Sequence, residues 1–199
     1  MNSDSIPPLI EKNWQSITSH TLWRISSLLD AVRILLKDVD DGEEQDLGKF
    51  TMTIGTGDPT IAAGLYTFAI EEYGKYLYLK SLEPVDGKYH IDYLGEFKNH
   101  PKKFERALSN LPDECKLVHL GEKEDTEFYE PDFHKDIIAD FETRLRIFYS
   151  DFDPLFANKI SKYEPPVSVK LLKNGVQKLW DIVELEHECL MKIKNDSTK

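Results

Sequence analysis

Four ionisable residues in two short segments have the types and spacing for acid–base chemistry or phosphate binding. They form two pairs, each with members three residues apart: Glu72 with Lys75, and His100 with Lys103. Residues at that spacing share one face of a helix. A carboxylate near an imidazole suits proton transfer, and ammonium groups suit a phosphate. We therefore predict Glu72 and His100 as acid–base residues, with Lys75 and Lys103 as phosphate-binding residues.

Glu72 is preferred to its neighbour Glu71 because of the apolar pattern around it. The apolar stripe of this segment recurs at spacings of four and three: Ile61, Leu65, Phe68. Its next position is Glu72, where a helix facing a core would carry an apolar residue. A carboxylate in a core position is costly unless it is paired, so it indicates a polar network or a site. Glu71 is a second-tier candidate, since an i,i+4 ion pair with Lys75 on a solvated surface would also explain it.

The segments that carry these residues are predicted to be helical. Five helices are expected, at about residues 7–38, 59–82, 96–111, 131–149 and from 168 onwards. The first and the fifth carry long apolar stripes and should pack along each other. We predict an all-α fold, a single domain over residues 1–199, in which two long antiparallel helices are crossed by shorter ones.

Two places in this scheme leave alternatives open. Pro101 is awkward inside the third helix, because proline lacks an N–H and clashes with the preceding turn. The helix therefore either starts afresh with Asn99 or His100 as its cap, or is kinked there. The turn dipeptide within residues 85–91 predicts a small hairpin or an ordered loop there. Residues 40–57 and 112–130 predict loops.

Composition sets further limits on the function. The chain has 199 residues and 40% hydrophobic residues, which suits one domain with its own core. No apolar run reaches the roughly 18 residues of a membrane span, and the first residues lack a signal-peptide pattern, so we expect a cytoplasmic protein. A net charge of −11 repels nucleic-acid backbones. RNA binding would need a partner or a local basic patch, for which the candidates are Lys98, Lys102, Lys103 and Arg106.

No metal site and no cofactor are predicted. The two cysteines, Cys115 and Cys189, are far apart and form no Cys-x-x-Cys motif. Di-iron helical bundles use Glu-x-x-His on two helices. This spacing occurs at Glu184 and His187, and no second copy is present.

The same residues carry a resemblance to a known family. Residues 65–75 read Leu-x-x-Phe-Ala-x-Glu-Glu-x-Gly-Lys, and residues 97–103 read Phe-x-x-His-x-x-Lys. A third motif, Arg-x-x-x-Tyr-x-Asp, is matched loosely at Arg146 and more closely at Tyr149 and Asp151. Over roughly the middle of the chain, these motifs resemble the AbiV-type abortive infection family.

The resemblance implies a HEPN-like all-helical bundle that acts in antiviral defence inside a prokaryotic cell. Many relatives of that kind are metal-independent ribonucleases or toxin partners, and they often pair into homodimers. It also implies second-tier site roles for Arg146, Tyr149 and Asp151. The implied partners are a second copy of the chain, and RNA or a phage or host protein.

The standard HEPN ribonuclease motif, arginine followed after four to six residues by histidine, is absent. None of the five arginines has a histidine at that spacing: Arg24, Arg33, Arg106, Arg144 and Arg146. One reading is a toxin that acts on RNA or translation through the Glu/Lys/His cluster, as a divergent ribonuclease. The main alternative is a non-catalytic helical module that binds a protein partner, and a nucleotide-binding helical domain is a third. An open cleft would favour an enzyme, whereas a buried and mutually satisfied cluster would favour the module.

Overall fold

The computed structural model describes residues 7–39, 59–119, 137–138 and 169–196 of the chain. Its helices are α1 (Glu11–Leu36), α2 (Pro59–Lys80), α3 (His100–Asn110) and α4 (Val169–Asp196). Shorter helical turns span Tyr93–Phe97 and Asp113–Cys115. Short strands form two antiparallel pairs: β1 (Leu9–Ile10) with β2 (Lys88–Tyr89), and β3 (Leu117–His119) with β4 (Ile137–Ile138). The described part is mostly helical, which confirms the all-α class.

The two longest helices, α1 and α4, run antiparallel. Ser26 Oγ lies 3.4 Å from His187 Nε2 near the middle of α1. Beyond the end of α1, Lys173 Nζ donates to the Val39 carbonyl at 2.7 Å. The contacts therefore move backwards along α4 as they move forwards along α1. As the pattern of the fifth predicted helix indicated, its apolar residues reach the core, where Leu172, Val176, Leu179 and Val183 are buried.

Helix α2 lies at the centre and packs against α1, α3 and α4. Its buried residues are mostly alanine and tyrosine, with two large aliphatic residues among them: Ala62, Ala63, Tyr66, Ala69, Ile70, Tyr73, Tyr76 and Leu79. Two of the buried tyrosine hydroxyls donate hydrogen bonds to polar partners, so their burial leaves no unsatisfied donor. Tyr66 donates to the Cys115 carbonyl at 2.8 Å, and Tyr76 donates to Glu186 Oε2 at 2.7 Å.

The prediction that Ile61, Leu65 and Phe68 mark the core-facing side of α2 is wrong, because this helix buries more than one face. Ile61 is 48% exposed, and Leu65 and Phe68 are only partly buried. The positions between them, occupied by alanine and tyrosine, form the core instead. Alanine lets neighbouring helices approach closely, and tyrosine fills the remaining space. A search for regularly spaced large aliphatic residues therefore misses a core face that is built from these two residue types.

The start of α3 follows one of the two arrangements left open by Pro101. The helix starts afresh, and the Asn99 side chain accepts from the backbone N–H of Lys102 at 3.2 Å as its N-cap. Pro101 sits in the first turn, where a missing N–H costs nothing. His100 and Lys103 therefore lie on an unkinked helix, one turn apart.

A turn between α2 and α3 ties the N-terminal strand to the bundle. Asp86 and Gly87 both have positive φ values, 50° and 70°, in a tight turn closed by the pairing of Val85 with Lys88. Of the two alternatives predicted there, a small hairpin or an ordered loop, the structure has a tight turn closed by a single bridge, and the strand that follows, β2, pairs with β1. Its residue Tyr89 stacks on Trp14 with the ring centroids 4.5 Å apart.

Other expectations for the connecting segments have mixed outcomes. The loop expected over residues 40–57 lies outside the described residues, and so does most of the helix expected over residues 131–149. Within that predicted helix, Ile137–Ile138 form β4 instead, since paired β-branched residues suit an extended backbone. Within the loop expected over residues 112–130, Asp113–Cys115 form a 3₁₀ turn and Leu117–His119 form β3. No helix in the described ranges is long and apolar enough to cross a membrane.

Candidate functional site

Glu71 is the centre of the polar cluster between α2 and α3. Its side chain is only 5% exposed, and its Oε1 atom lies 2.5 Å from Lys103 Nζ and 2.6 Å from His100 Nδ1. Lys103 is equally buried, with 6% of its side chain exposed. An ion pair this deep in the interior requires both charges, because either one alone would be strongly disfavoured there.

This geometry corrects the order of the two glutamates. Glu72 was expected to face His100 and Lys103, but Glu71 faces them, since successive helix positions point about 100° apart. The ion pair of Lys75 is also different from the expected one. Its Nζ lies 3.2 Å from Glu72 Oε2, not beside Glu71, and it also lies 4.6 Å from the centre of the Phe97 ring.

His100 combines a fixed orientation with access to solvent. Its side chain is 48% exposed, whereas its partner Glu71 is buried. A carboxylate can only accept a hydrogen bond, so Nδ1 of His100 must carry the proton of this contact. In the neutral ring the lone pair then lies on Nε2. A carboxylate that holds an imidazole in this way is the arrangement by which enzymes orient a general base.

The close approach of α3 to α2 depends on Gly74. A Cβ atom at this position would lie 1.8 Å from the backbone oxygen of Lys103. The absent side chain therefore lets the α3 backbone lie directly against α2, one turn from Glu71. This contact fixes how far Lys103 and His100 stand from the carboxylate.

The two predicted phosphate-binding lysines are already paired. Lys103 Nζ is held by Glu71, and Lys75 Nζ by Glu72, with side-chain exposures of 6% and 16%. Binding a phosphate at either ammonium would compete with a buried or half-buried ion pair. The position of Lys103 therefore suits a structural ion pair with Glu71 better than contact with a ligand.

The basic patch expected on α3 is largely neutralised by Glu96. The Glu96 carboxylate accepts from Lys102 Nζ at 2.8 Å and from Arg106 Nη2 at 2.6 Å. Lys98 Nζ lies 4.6 Å from the centre of the Tyr93 ring. Together with the burial of Lys103, these contacts leave little of the patch for a nucleic-acid backbone.

The Glu96 contacts predict a pH-dependent stability. Hydrogen bonds from Lys102 and then Arg106 lower the pKa of Glu96 from its ordinary value of 4.5. A carboxyl group with a lowered pKa in the folded state adds stability above its unfolded pKa, and this stability is lost as the pH falls through the folded pKa. We expect Glu96→Gln to lower the unfolding free energy by about 1 kcal/mol at pH 7. The difference should shrink below about pH 4.5.

Urea titrations of the wild type and Glu96→Gln at a series of pH values would measure this difference. The control is Glu105→Gln, since Glu105 is exposed and makes no ion pair with another described residue. It should leave the pH dependence of stability unchanged. A Glu96→Gln protein with the wild-type profile from pH 7 down to acid would show that these ion pairs add nothing.

A second polar network, which the sequence pattern did not reveal, joins α2 to α4. Glu186 accepts from the Tyr76 hydroxyl and from Lys80 Nζ, at 2.7 Å for its Oε2 atom in both cases. Burial and then the hydrogen bond to Glu186 raise the pKa of Tyr76 well above its ordinary value. The sequence signal for this network was Glu186 itself, because it stands between Val183 and Leu190 at the three- and four-residue spacing of the apolar stripe of this helix.

The second-tier candidates divide into two groups. Glu71 is brought to the centre of the cluster, whereas Arg146, Tyr149 and Asp151 lie outside the described residues. Within the described ranges, no group of three His, Cys, Asp or Glu residues is placed to hold a metal ion. Glu184 and His187 lie on α4, and the contact found for the His187 ring is with Ser26.

Comparison with known proteins leaves the family open. No family model, no curated protein and no solved structure matches the chain.

Proposed function

We propose that the chain is an AbiV-like abortive infection protein of the HEPN-like class, acting in the cytoplasm of a prokaryotic cell. The proposal rests on the sequence motifs of residues 65–75 and 97–103, whose polar residues converge between α2 and α3. In this proposal the polar residues of the two segments form a single active site between α2 and α3. The protein acts as a homodimer, as HEPN-like relatives often do.

The observation that carries a catalytic role is the half-exposed imidazole of His100, held at Nδ1 by the buried Glu71 carboxylate 2.6 Å away. In this proposal His100 Nε2 is the general base that takes the proton of a ribose 2′-hydroxyl in an RNA strand. The 2′ oxygen forms a bond to the adjacent phosphorus, the bond from phosphorus to the 5′ oxygen breaks, and the leaving 5′ oxygen takes a proton from water. Glu71 is the positioning residue, and Lys103 is the buried partner of its carboxylate. Glu72 and Lys75 flank the centre and stabilise α2 against the Tyr93–Phe97 turn.

The burial of the ion pair favours a second candidate, a module that acts by binding a protein partner. Glu71 and Lys103 satisfy each other in the interior, with exposures of 5% and 6%. Such a network can serve the fold alone. The absence of the arginine-to-histidine motif supports the same candidate. The catalytic function requires the exposed ring of His100, whereas the protein-binding module does not.

Induced expression in a bacterial host, with and without phage infection, tests the proposal. The variants are His100→Gln and, as the matched control, His90→Gln, because His90 is an exposed histidine directly after β2. Growth and the integrity of total RNA are followed together, with protein levels checked by immunoblot. We expect the wild type and His90→Gln to arrest growth and cleave RNA, and His100→Gln to do neither.

Two other results would decide against the catalytic proposal. Arrest by His100→Gln at the wild-type level would show that the imidazole is not the reacting group. Arrest with intact RNA in every variant would favour the protein-binding module. If the wild type arrests growth neither alone nor during infection, the defence function itself is refuted.

A further inference from the structure

A turn that carries two aromatic residues lies between α2 and α3, directly before the start of α3. Residues Tyr93–Phe97 form a single π-helical turn, in which the backbone N–H of Lys98 donates to the Tyr93 carbonyl at 2.7 Å. Asp92 caps this turn, since its Oδ1 atom accepts from the backbone N–H of Gly95 at 2.9 Å. Turns of this kind are rare and frequently occur at functional sites. The turn is therefore a candidate for a role in the function of the protein.

The two aromatic rings of the turn stack on each other, and each also faces an ammonium group. The centroids of the Tyr93 and Phe97 rings lie 5.8 Å apart, with 25° between the ring planes. Lys98 Nζ lies 4.6 Å from the centre of the Tyr93 ring, and Lys75 Nζ lies 4.6 Å from the centre of the Phe97 ring. Both aromatic residues are only partly buried. Accessible aromatic rings with cations beside them are what proteins use to bind single-stranded nucleic acids.

The two ammonium groups differ in how firmly they are held. Lys75 has 16% of its side chain exposed and pairs with Glu72 at 3.2 Å, so it keeps the Phe97 ring covered. Lys98, in contrast, is exposed. Its ammonium group can move from the Tyr93 ring to a phosphate when a base takes its place, because a stacked base is worth more than an exposed cation–π contact. Tyr93 is therefore the ring that can accept a base.

The turn lies close to the Glu71–His100 pair. Lys75, which contacts the Phe97 ring, is four residues after Glu71 and so lies one helical turn from it on α2. His100 follows Phe97 by three residues and contacts Glu71 through Nδ1 at 2.6 Å. The aromatic turn and the Glu71–His100 pair therefore lie against neighbouring turns of α2, about 5.4 Å apart along its axis. Successive nucleotides of one strand can bridge that separation.

We propose that Tyr93 binds a base of a single-stranded RNA by stacking, beside the nucleotide whose 2′-hydroxyl faces His100. This role of Tyr93 depends on the RNA substrate proposed for His100. Stacking does not use the phosphate charge, whereas the chain carries a net charge of −11 and Glu96 neutralises Lys102 and Arg106. A protein with this charge gains affinity from base faces more readily than from phosphates. Every base has such a face, so the contact selects unpaired strands and no particular sequence.

Fluorescence anisotropy of a labelled single-stranded RNA, titrated with the purified full chain at constant ionic strength, tests this proposal. The 2′-hydroxyls of the strand are methylated, so that it cannot be cleaved. We expect Tyr93→Leu to bind this strand about tenfold more weakly than the wild type, because one stacked base is lost. Tyr93→Phe keeps an aromatic ring and should bind within about twofold of the wild type.

Trp23→Leu is the matched control, since Trp23 is 62% exposed on α1 and lies outside the turn. Its affinity should also stay within about twofold of the wild type. A strand of the same length without bases is a second control, which the wild type and Tyr93→Leu should bind equally weakly. Comparing the two strands on the wild type alone keeps the test valid if Tyr93→Leu does not fold. Circular dichroism establishes the fold of each variant.

The outcomes separate the stacking role from the catalytic proposal. A loss confined to Tyr93→Leu and to the strand with bases supports stacking. The stacking role is overturned if Tyr93→Leu binds like the wild type, if Trp23→Leu loses as much, or if the wild type binds the base-free strand as tightly as the RNA or binds neither. Binding that depends on Tyr93, without cleavage of unmodified RNA, supports stacking and refutes only the general base. Cleavage that depends on His100, with an unchanged KM in Tyr93→Leu, refutes only the stacking role.

Discussion

Replacing Glu71 with alanine is expected to lower the unfolding free energy by about 3 to 5 kcal/mol. The change leaves the Lys103 ammonium group buried, at 6% exposure, without the carboxylate that holds it. It also removes the acceptor of the His100 Nδ1 proton. Urea denaturation monitored by circular dichroism measures the loss.

Glu72→Ala is the matched control for this prediction. Glu72 is the adjacent carboxylate on the same helix, and its pair with Lys75 is longer and more exposed. Its loss should cost about 1 kcal/mol or less. A Glu72→Ala protein less stable than Glu71→Ala would contradict the assignment of Glu71 as the buried partner.

A double variant separates the charge from the packing at this position. Glu71→Leu together with Lys103→Met replaces both charges by apolar groups of similar size. Such a replacement of a buried ion pair is often neutral or stabilising, whereas removal of one partner is not. The double variant should therefore recover most of the stability that Glu71→Leu alone loses.

Replacing Gly74 with alanine is expected to lower the unfolding free energy by about 2 to 3 kcal/mol. In an isolated helix this change would favour folding by about 1 kcal/mol, because glycine has the greater backbone freedom. Here the new Cβ atom would lie 1.8 Å from the Lys103 backbone oxygen, so α3 must move away from α2. The sign of the effect therefore reports the close approach of the two helices.

Gly175→Ala provides a graded control for Gly74→Ala. Gly175 lies in α4, where a Cβ atom would come 2.9 Å from the Glu114 backbone oxygen and from the Tyr66 hydroxyl. The overlap is smaller, so the loss of stability should be smaller, and both can be measured by the same urea titration. A stabilised Gly74→Ala protein would contradict the packing of α3 on α2.

The composition and the local chemistry of the chain predicted much of the fold. The long amphipathic helices, the Asp86–Gly87 turn and the restart of α3 at Asn99 each follow from side-chain properties that act over a few residues. The pairing of Ile137–Ile138 with Leu117–His119 did not follow. It depends on a partner about twenty residues away, and two adjacent isoleucines suit a helix pattern as well as a strand.

The choice between Glu71 and Glu72 shows where the pattern fails. A stripe of Ile61, Leu65 and Phe68 identifies the core face only if a helix buries a single face, and α2 packs against three helices. Gly74 was the residue in the sequence that could have identified the side of α2 that faces α3. A glycine inside a helix often marks a close backbone approach, and the residue three before it, Glu71, lies on the same side.

The cleavage of an end-labelled RNA strand by purified protein tests the central proposal most directly. The wild type is compared with His100→Gln and with the control His90→Gln, under conditions in which all three are folded. We predict that the wild type and His90→Gln cleave the strand, and that His100→Gln is slower by about 10² to 10⁴-fold, the usual contribution of a general base. Cleavage by His100→Gln at the wild-type rate, or none by the wild type, would contradict a catalytic role for the Glu71–His100 pair.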